Sequence, residues 1–506
     1  MARAIMVQGT SSNAGKSILV TALCRIFCQD GYRVAPFKAQ NMALNSFVTE
    51  SGGEIGRAQV LQAWACGLAP RVEMNPVLLK PRGNAESQVI VLGKPVGHMS
   101  ARDYHLGKNL ELLSSIAAAF EKLAREYDII VLEGAGSPAE VNLKERDLAN
   151  MRAAKMASAP VLLVADIDRG GAIASVVGTL ELLPLEEREM VRGIIINKFR
   201  GDITLLKPAL DFLEDRTGVP VLGVVPHMGD LQLPAEDSVC LEDAPIASKT
   251  AELDVAVILL PRISNFTDFD ALSLEPGVAV RYVRGGAPLG TPDLIVIPGT
   301  KNTTEDLLYL YESGYAAAVK RAFEQGVPVL GICGGYQMLG KELVDEAGSE
   351  SGIRQLPGLG LLDVKTVFLG EKQLLQSRGT VCGGGSLLAG AAGMEVEGYE
   401  IHMGRTFLGK GAAPFLAVTG GEGPRYDGAV SPSGLVIGTY FHGLLDNDGF
   451  RRHLINRLRE RKGLGETGTP LASARQWVEA GLDRLAQTCR SCLDMKKIYG
   501  LLGISV

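Results

Sequence analysis

The chain has 506 residues, of which 46% are hydrophobic and 21% charged, and its formal net charge at pH 7 is −6. This length favours about two to four domains, and the composition excludes a mainly disordered chain. The negative balance argues against a polyanion-binding protein, so we expect no nucleic-acid partner. Because no apolar run approaches the ~18 residues of a membrane span and no secretory leader precedes the first strand, we predict a cytoplasmic protein without a membrane partner.

Short β-branched runs alternate with helix-length amphipathic segments through the first half of the chain. Such alternation is typical of βαβ units around a parallel sheet. We therefore predict strands at 4–7, 33–37, 128–132, 161–165, 193–196 and 221–225.

A polar, acidic stretch that contains proline, residues 233–250, interrupts the alternation. The pattern restarts with strands at 255–260, 294–297 and 327–331, and a glycine-rich, strand-like section follows from about 358 to 440. We predict an α/β protein with two doubly wound parallel-sheet domains, at 1–232 and 251–450. Residues 233–250 would be the linker and 451–506 a helical C-terminal tail.

A glycine-rich loop with the sequence Gly-Thr-Ser-Ser-Asn-Ala-Gly-Lys-Ser follows the first strand. Glycines let backbone N–H groups turn toward a phosphate, and the positive end of the next helix adds its dipole. Lys16 can reach phosphate oxygens and Ser17 can ligate Mg²⁺. Five residues, rather than the usual four, separate the two glycines. We predict a nucleotide site formed by Gly9, Thr10, Asn13, Ala14, Gly15, Lys16 and Ser17.

Two acidic residues stand at the ends of predicted strands of the same sheet. Glu133 follows the strand at 128–132, and Asp166 follows the strand at 161–165. Open α/β sheets bind their ligands at the carboxyl ends of the strands, where a carboxylate can hold Mg²⁺ directly or through water. Each residue is a candidate metal ligand, with a capping or loop carboxylate as the alternative.

A second constellation lies at 331–335, where Gly-Ile-Cys-Gly-Gly joins a strand to a helix. This is the thiol counterpart of the Gly-x-Ser-x-Gly nucleophile elbow, which needs glycines because its backbone is strained. A helix N-terminus favours the thiolate, so we predict Cys333 as a nucleophile. The N–H groups of Gly334 and Gly299 are the predicted oxyanion donors.

The thiol requires a base, and the chain contains only six histidines. His442 follows a strand-like run late in the second half and is our predicted general base and acid. His402 is the competitor, and we expect it rather to help form the site or a domain interface.

These motifs resemble known families. The loop at 9–17, with its extra residue, and Glu-Gly-Ala-Gly at 133–136 resemble the dethiobiotin-synthetase-like branch of P-loop proteins, which are NTPase-like in fold. The segments around Gly299, Cys333 and His442 resemble the triad-type glutamine amidotransferases, which are flavodoxin-like. Their combination in this order, with segments 37–46, 74–81 and 399–404, resembles the cobyric acid synthase family.

The resemblance implies a glutamine-hydrolysing carbon–nitrogen ligase of cobalamin biosynthesis. Such an enzyme uses ATP, Mg²⁺ and glutamine to amidate the b, d, e and g carboxylates of adenosylcobyrinic acid a,c-diamide, giving adenosylcobyric acid. Its partners would be these small molecules, and the oligomeric state stays open. The resemblance also implies that Lys38 faces the phosphate or the acceptor carboxylate, and that Glu54 is an acid near the nucleotide and its metal.

One departure from the amidotransferase pattern leaves the third catalytic member unassigned. A Pro-Glu pair normally follows the catalytic histidine, but Gly443 and Leu444 follow His442, and the nearest acid is Asp446. The sequence thus implies a dyad or an orienting group from elsewhere. The rivals are the a,c-diamide synthase of the same pathway, another glutamine-dependent carboxylate amidase, and a nucleotide-switched partitioning-type ATPase, which the first half alone would permit.

Overall fold

The computed structural model describes residues 2–82, 86–100, 102–103, 106, 108–229, 231, 233–234, 251–346, 348, 350–419, 425–467 and 473–505. The chain divides into two compact units. The first unit comprises Met1–Ala43, Thr49–Leu233 and Trp477–Val506, and the second comprises Leu44–Val48 and Pro234–Gln476. The predicted linker lies outside the described residues from residue 235 onward.

The first unit is built on a six-stranded sheet in which every neighbouring pair is parallel. The strands are buried almost throughout, because both faces of a doubly wound sheet are covered by helices. All six predicted strands are present, and their bounds differ from the predictions by at most three residues. In spatial order they are Val221–Pro226, Val191–Phe199, Val161–Asp166, Arg3–Gly9, Ile129–Glu133 and Val34–Phe37.

The helices of the first unit begin with Lys16–Gln29, which follows the glycine-rich loop directly. Its buried face joins the sheet in one hydrophobic core. The other helices are Arg57–Ala65, Leu113–Glu126, Met151–Ala157, Ala172–Leu182, Leu185–Arg188, Ile203–Thr217 and Met495–Leu501, with short 3-10 turns at Val72–Met74, Lys108–Leu112 and Lys144–Arg146.

A small second sheet of the first unit has the strand order Gln40–Met42, Val77–Arg82, Glu86–Val91 and Lys94–Ser100. The first pair is parallel and the other two are antiparallel. Its inner face carries a small apolar cluster of Ala43, Leu78 and Ile90. The short strand Glu54–Gly56 leads into the helix Arg57–Ala65, in which every residue except Trp64 is buried.

The second unit also contains a six-stranded sheet, parallel except for one edge pair. The sequence predicted its three central strands within two residues at either end. In spatial order the strands are Val278–Val283, Leu253–Ile258, Leu294–Ile297, Val329–Ile332, Val436–Thr439 and Ala429–Val430. Helices Thr303–Glu312, Tyr315–Glu324, Gly334–Leu339 and Asp448–Arg461 and the 3-10 turns Phe266–Leu274 and Leu444–Asp446 complete this part. The predicted α/β fold class is confirmed.

The strand-like section of the sequence forms a further, mostly antiparallel sheet in the second unit. The long strands Val364–Val381 and Glu395–Leu408 pair along most of their length. Its other strands are Gln355–Pro357, Glu342–Val344, Leu416–Thr419 and Arg425–Asp427, and the short strand Ser46–Val48 also belongs to this unit.

The residues expected to form a helical tail are distributed over both units. Helix Asp448–Arg461 packs into the core of the second unit, through Leu454, Ile455 and Leu458. Most of helix Ala474–Cys492 packs on the first unit, where Leu482, Leu485 and Cys489 are fully buried. None of the described helices is both long and apolar enough to cross a bilayer.

Candidate active sites

The glycine-rich loop of the first unit has the backbone that its sequence predicts. Gly15 has a φ of 96° and Asn13 a φ of 59°, in the left-handed region. A Cβ at Gly15 would lie 2.0 Å from Asn197 Nδ2, and one at Gly9 would lie 2.9 Å from the Ser11 carbonyl oxygen. No side chain fits at either glycine. Alternation of left- and right-handed residues directs successive N–H groups to one side, which makes an anion-binding concavity.

Lys16 connects this loop to the segment after the strand Ile129–Glu133. Its Nζ donates to the carbonyl oxygens of Ser11, at 2.9 Å, and of Gly136, at 3.0 Å. The Lys16 side chain is buried, and its ammonium group contacts two uncharged carbonyl oxygens at the start of the helix. A phosphate oxygen arriving at the loop would replace these carbonyls as a stronger, charged acceptor.

Glu133 is the centre of the polar cluster at the end of its strand. Its Oε1 accepts from Ser17 Oγ, at 2.9 Å, and from Lys38 Nζ, at 2.6 Å. Its Oε2 accepts from Gln62 Nε2 at 2.5 Å. Burial alone would raise the pKa of Glu133, but Lys38 and the two hydrogen-bond donors outweigh it and hold the pKa below its usual range. The structure thus brings together three of the predicted site residues, Ser17, Lys38 and Glu133.

Asp166 and Glu54, the other two predicted metal ligands, have lysine partners. Asp166 Oδ2 accepts from Lys198 Nζ at 2.7 Å, and the same Nζ donates to the carbonyl oxygen of Asn13 at 2.7 Å. Asp166 therefore supports the loop through Lys198. Glu54, which is fully buried, accepts from Lys80 Nζ at 2.8 Å. Thr10, in the glycine-rich loop, accepts from Ser175 through its Oγ1, at 3.3 Å from Ser175 Oγ.

The nucleophile elbow of the second unit is strained at Cys333. This residue has a φ of 52° and a ψ of −109°, and it precedes the helix Gly334–Leu339 directly. Its N–H donates to the Thr439 carbonyl at 2.8 Å, and its Sγ lies 3.3 Å from the carbonyl oxygen of Ile401. Left-handed backbone is costly for a non-glycine residue and persists at functional sites where the surroundings enforce it.

The glycines around Cys333 are required because the backbone is closely packed. A Cβ at Gly335 would lie 1.9 Å from the Ile297 carbonyl oxygen, and one at Gly334 would lie 2.7 Å from Thr300 Cγ2. A Cβ at Gly299 would lie 3.0 Å from His442 Cε1. The predicted oxyanion residues Gly334 and Gly299 are therefore adjacent to the elbow and to His442, respectively.

His442 is buried, and its ring orientation is fixed by three contacts. Its backbone pairs with Tyr399 through two hydrogen bonds, at 2.9 and 3.1 Å, and the two rings stack with centroids 5.3 Å apart. Its Nδ1 lies 2.7 Å from Asp268 Oδ2. A carboxylate accepts hydrogen bonds only, so Nδ1 carries a proton and Nε2 is the nitrogen available to Cys333.

Asp268 supplies the acid that the sequence left unassigned. It lies in the 3-10 turn Phe266–Leu274 and is buried, and its second oxygen accepts from the Gly443 N–H at 2.9 Å. Burial lowers the pKa of His442, but the charge and hydrogen bond of Asp268, together with Cys333, outweigh burial and raise it to about 10. Cys333, His442 and Asp268 therefore form a triad in which the histidine favours the imidazolium.

Arg451 connects the two segments that carry His442 and Asp268. Its Nε donates to Glu275 Oε1 at 2.9 Å, just after the 3-10 turn of Asp268, and its Nη1 donates to the Leu445 carbonyl at 2.9 Å, just after His442. The side chain is among the largest that are fully buried. A planar guanidinium with several fixed donors is suited to holding two chain segments at a constant separation.

His402 lies on the strand that passes the nucleophile and does not take the place of His442. Its ring stacks on Tyr440 with centroids 3.7 Å apart, and its Nδ1 lies 2.7 Å from the Gly404 carbonyl oxygen. Its Nε2 lies 3.5 Å from Glu400, which Arg425 also contacts. Burial would raise the pKa of Glu400, but His402 and Arg425 lower it to about 2.

Comparisons with known proteins identify the family of each half of the chain. A family model described as the CobQ/CobB/MinD/ParA nucleotide binding domain matches residues 5–238, and one described as the CobB/CobQ-like glutamine amidotransferase domain matches residues 254–450. A protein named cobyric acid synthase from Pelotomaculum thermopropionicum is 69% identical, covering 100% of this chain and 97% of that protein. The chain belongs to the cobyric acid synthase family. Proteins of the same name from Moorella thermoacetica (56% identical; 100% and 98% covered) and Desulfitobacterium hafniense (53%; 99% and 98%) agree.

Membership of the cobyric acid synthase family confirms the resemblance that the motifs indicated and the expected order of a nucleotide-binding half and an amidotransferase half. The structure adds residues that sequence reasoning missed. Asp268 lies 174 residues before His442, in a segment without a recognisable motif. Lys198 and Gln62 were also missed as partners of the loop and of Glu133. The sequence offered one signal for each: Lys198 follows the predicted strand at 193–196, and Gln62 is a polar residue on the helix Arg57–Ala65.

Proposed function

We propose that Cys333, His442 and Asp268 release ammonia from glutamine, and that the loop at 9–17 with Lys38 and Glu133 uses ATP to activate the carboxylate that receives this ammonia. As a member of its family, the chain is a glutamine-dependent amidating ligase with a P-loop nucleotide-binding domain. The acceptor carboxylates would be the b, d, e and g arms of adenosylcobyrinic acid a,c-diamide. The observation that carries this assignment is the presence, in one chain, of a buried Cys–His–Asp triad and a phosphate loop.

The glutaminase step follows from the triad geometry. His442, which favours the imidazolium, holds on Nε2 the proton that Cys333 gives up, and Cys333 Sγ attacks the side-chain amide carbon of glutamine. The same nitrogen then delivers this proton to the departing ammonia. The N–H groups at Gly334 and Gly299 stabilise the developing oxyanion. Water then hydrolyses the thioester with His442 as base, which releases glutamate. Asp268 keeps the imidazole in the tautomer that this sequence of proton transfers needs.

The amidation step requires activation because hydroxide is too poor a leaving group for ammonia to displace from a carboxylate. Transfer of the γ-phosphoryl group of ATP to the carboxylate would give an acyl phosphate, which ammonia attacks with release of inorganic phosphate. Lys16 would stabilise charge on the transferred group, and Lys38, beside Glu133, would orient the acceptor carboxylate. Free ammonia in solution at pH 7 is mostly ammonium, which is not a nucleophile. Glutamine hydrolysis instead releases neutral ammonia.

Ser17 and Glu133 are the residues that would hold Mg²⁺. Oxygen donors suit this ion, which usually takes one or two protein ligands, several waters and the phosphates of the nucleotide. The hydroxyl of Ser17 already contacts Glu133 Oε1, so the two oxygens converge. When bound, the ion would neutralise negative charge on the phosphates of the nucleotide. Asp166 would instead support the loop through Lys198, and Glu54 would support the small sheet through Lys80.

The remaining features of the protein belong to the same proposal. Domains at 1–232 and 251–450 are supported by the two family models, with Trp477–Val506 added to the first unit. The partners would be the small molecules of this reaction, and a cytoplasmic location is supported by the state of the thiols. All seven cysteines that the structure describes are free.

The deciding experiment separates the two half-reactions by the source of nitrogen. Cys333→Ala should abolish amidation with glutamine but retain it with an ammonium salt, because the synthetase site is intact. Lys16→Ala should abolish both. Mass spectrometry of the corrinoid counts the amides formed, because each conversion of carboxyl to carboxamide changes the mass by the same amount. If Cys333→Ala still used glutamine, or if Lys16→Ala retained amidation with ammonium, the proposal would be wrong.

A further inference from the structure

A group of buried amide side chains in the first unit has no part in the mechanism above. It consists of Asn41, Gln59, Gln62 and Gln88, which we call the amide cluster. Amide side chains are usually exposed, so four buried ones in the same region need a reason. One of them, Gln62, contacts Glu133 directly. The cluster therefore begins at the proposed synthetase site.

The helix Arg57–Ala65 joins two members of the cluster. Gln59 and Gln62 are three residues apart and lie on one helix face. Gln62 Nε2 donates to Glu133 Oε2 at 2.5 Å, and Gln59 Oε1 accepts from Asn41 Nδ2 at 3.0 Å. The cluster thus extends from the end of a central strand to the small sheet.

The small sheet places the other two members on a common face. Asn41 pairs with Leu78 and Gln88 pairs with Lys80. Leu78 and Lys80 lie two residues apart on the strand Val77–Arg82. Side chains of opposite and alternate residues point to the same side of a sheet. Asn41 and Gln88 therefore share that side. Met42, next to Asn41, is 57% exposed, so the cluster lies one residue from the surface of the unit.

Three polar atoms of the cluster are buried without a hydrogen-bond partner in the part of the chain that the structure describes. They are Gln59 Nε2, Gln62 Oε1 and Gln88 Oε1. The orientation of the Gln62 amide is fixed, because the ionised Glu133 accepts only from its nitrogen. Buried polar atoms are rarely left unpaired, since each one destabilises the fold. One donor and two acceptors, carried by one helix and by the adjoining small sheet, therefore have unused hydrogen-bonding capacity.

We propose that the amide cluster binds a primary carboxamide, an arm of the corrinoid acceptor that is already amidated. This inference rests on the proposed function. The carbonyl oxygen of a carboxamide accepts from a donor such as Gln59 Nε2, and its NH₂ group donates to acceptors such as Gln62 Oε1 and Gln88 Oε1. A carboxylate has no N–H and would meet the two acceptor oxygens with repulsion. The cluster would thereby select a corrinoid that carries amides over one whose arms are all acids.

The test compares the affinities of two corrinoids in the absence of ATP. Dissociation constants are measured by titration calorimetry for the a,c-diamide and for the corrinoid whose arms are all carboxylates. Gln62→Met and Gln88→Met each remove one acceptor without changing net charge, so general electrostatic preference cancels from the comparison. We expect the full chain to prefer the diamide, and each variant to lower that preference about fivefold, as for one net hydrogen bond.

Gln59→Met is the matched control within the cluster. It removes a donor, which an amide oxygen and a carboxylate oxygen both accept, so both affinities should weaken together and the preference should stay that of the unmodified chain. Gln29→Met, at an exposed glutamine paired with Asp483, should change neither affinity. Gln88 lies on the small sheet, opposite Lys80, so Gln88→Met and Gln88→Ala carry the test if Gln62→Met does not fold.

The outcomes separate this inference from the function on which it rests. An unchanged preference in both acceptor variants, with normal ATP binding and melting temperature, would mean that water satisfies these atoms, and the subsite assignment would be wrong. If the unmodified chain amidated neither corrinoid with ATP and ammonium, the proposed function itself would fail, and the subsite with it.

Discussion

The two candidate sites differ in how the chain assembles them. Most of the phosphate site comes from one continuous loop at 9–17, and its remaining members follow neighbouring strands of the same sheet. The triad comes from three separate segments, since Asp268 precedes Cys333 and His442 lies 174 residues after Asp268. The side chains of the triad are also fixed by mutual contacts, whereas Lys16 contacts carbonyl groups that a phosphate could replace. A contiguous site can be recognised from sequence, but a dispersed one depends on distant anchors.

Removing the acid of the triad should have the largest effect. Asp268→Asn keeps the shape but no longer selects the tautomer of His442, so glutamine hydrolysis should fall roughly 10³- to 10⁴-fold while amidation with ammonium is retained. Asp446→Asn, at the acid nearest to His442 in sequence, is the matched control and should retain most activity. Equal losses in both variants would remove Asp268 from the triad.

The same variant should change how stability depends on pH. The pKa of His442 is raised from 6.5 to about 10, so its contribution to folding is complete below pH 6.5 and is lost as pH rises toward 10. Asp268→Asn removes the charge that does most to raise the pKa of His442, so this loss of stability at alkaline pH should become smaller. Calorimetric melting between pH 6 and 10 measures the difference.

Loosening the anchor of the triad should have an intermediate effect. Arg451→Lys keeps the charge but cannot contact both Glu275 and the Leu445 carbonyl, so glutaminase kcat should fall roughly tenfold to a hundredfold, with a shifted pH profile. Arg452→Lys is the control, because Arg452 contacts Glu275 from a more exposed position. A loss of stability with an unchanged pH profile would give Arg451 a structural role only.

Disturbing the support of the phosphate loop should have the smallest effect. Lys198→Met removes the contacts with Asn13 and Asp166, and the KM for ATP should rise about fivefold, as expected for roughly one hydrogen bond. Arg200→Met, which breaks the exposed pair with Asp168, should leave the KM unchanged. If Lys198→Met abolished activity, Lys198 would act on the substrate rather than on the loop.

The sequence predicted the fold, and it placed the contiguous motifs of both candidate sites at the strand–helix junctions where the structure has them. Strand–loop–helix junctions have strong local requirements, such as the left-handed backbone at Gly15 and the close packing at Gly335, and these appear as motifs. Asp268 was missed because a buried aspartate in a 3-10 turn has no local signature. The amide cluster was missed because isolated glutamines and asparagines in a sequence are usually exposed. Only the folded structure shows that these four are buried together.

The tail shows a different limit. Its amphipathic pattern predicted helices with a buried face, but periodicity does not identify which surface covers that face. Helix Asp448–Arg461 packs in the second unit, whereas helix Ala474–Cys492 packs against helix Lys16–Gln29 of the first. Arg25 contacts Glu479 and Asp483, and Arg490 contacts Asp30. These pairs lie between segments more than 450 residues apart.

This arrangement sets an order for biosynthesis. The helix that follows the phosphate loop obtains part of its hydrophobic cover from Leu482, Leu485 and Cys489, which the ribosome makes only after the whole second unit. The second unit can therefore fold as soon as it has been synthesised. The first unit cannot complete its hydrophobic core until helix Ala474–Cys492 has been made. A chain that ends at Gln476, the last residue of the second unit, should therefore hydrolyse glutamine but bind nucleotide poorly.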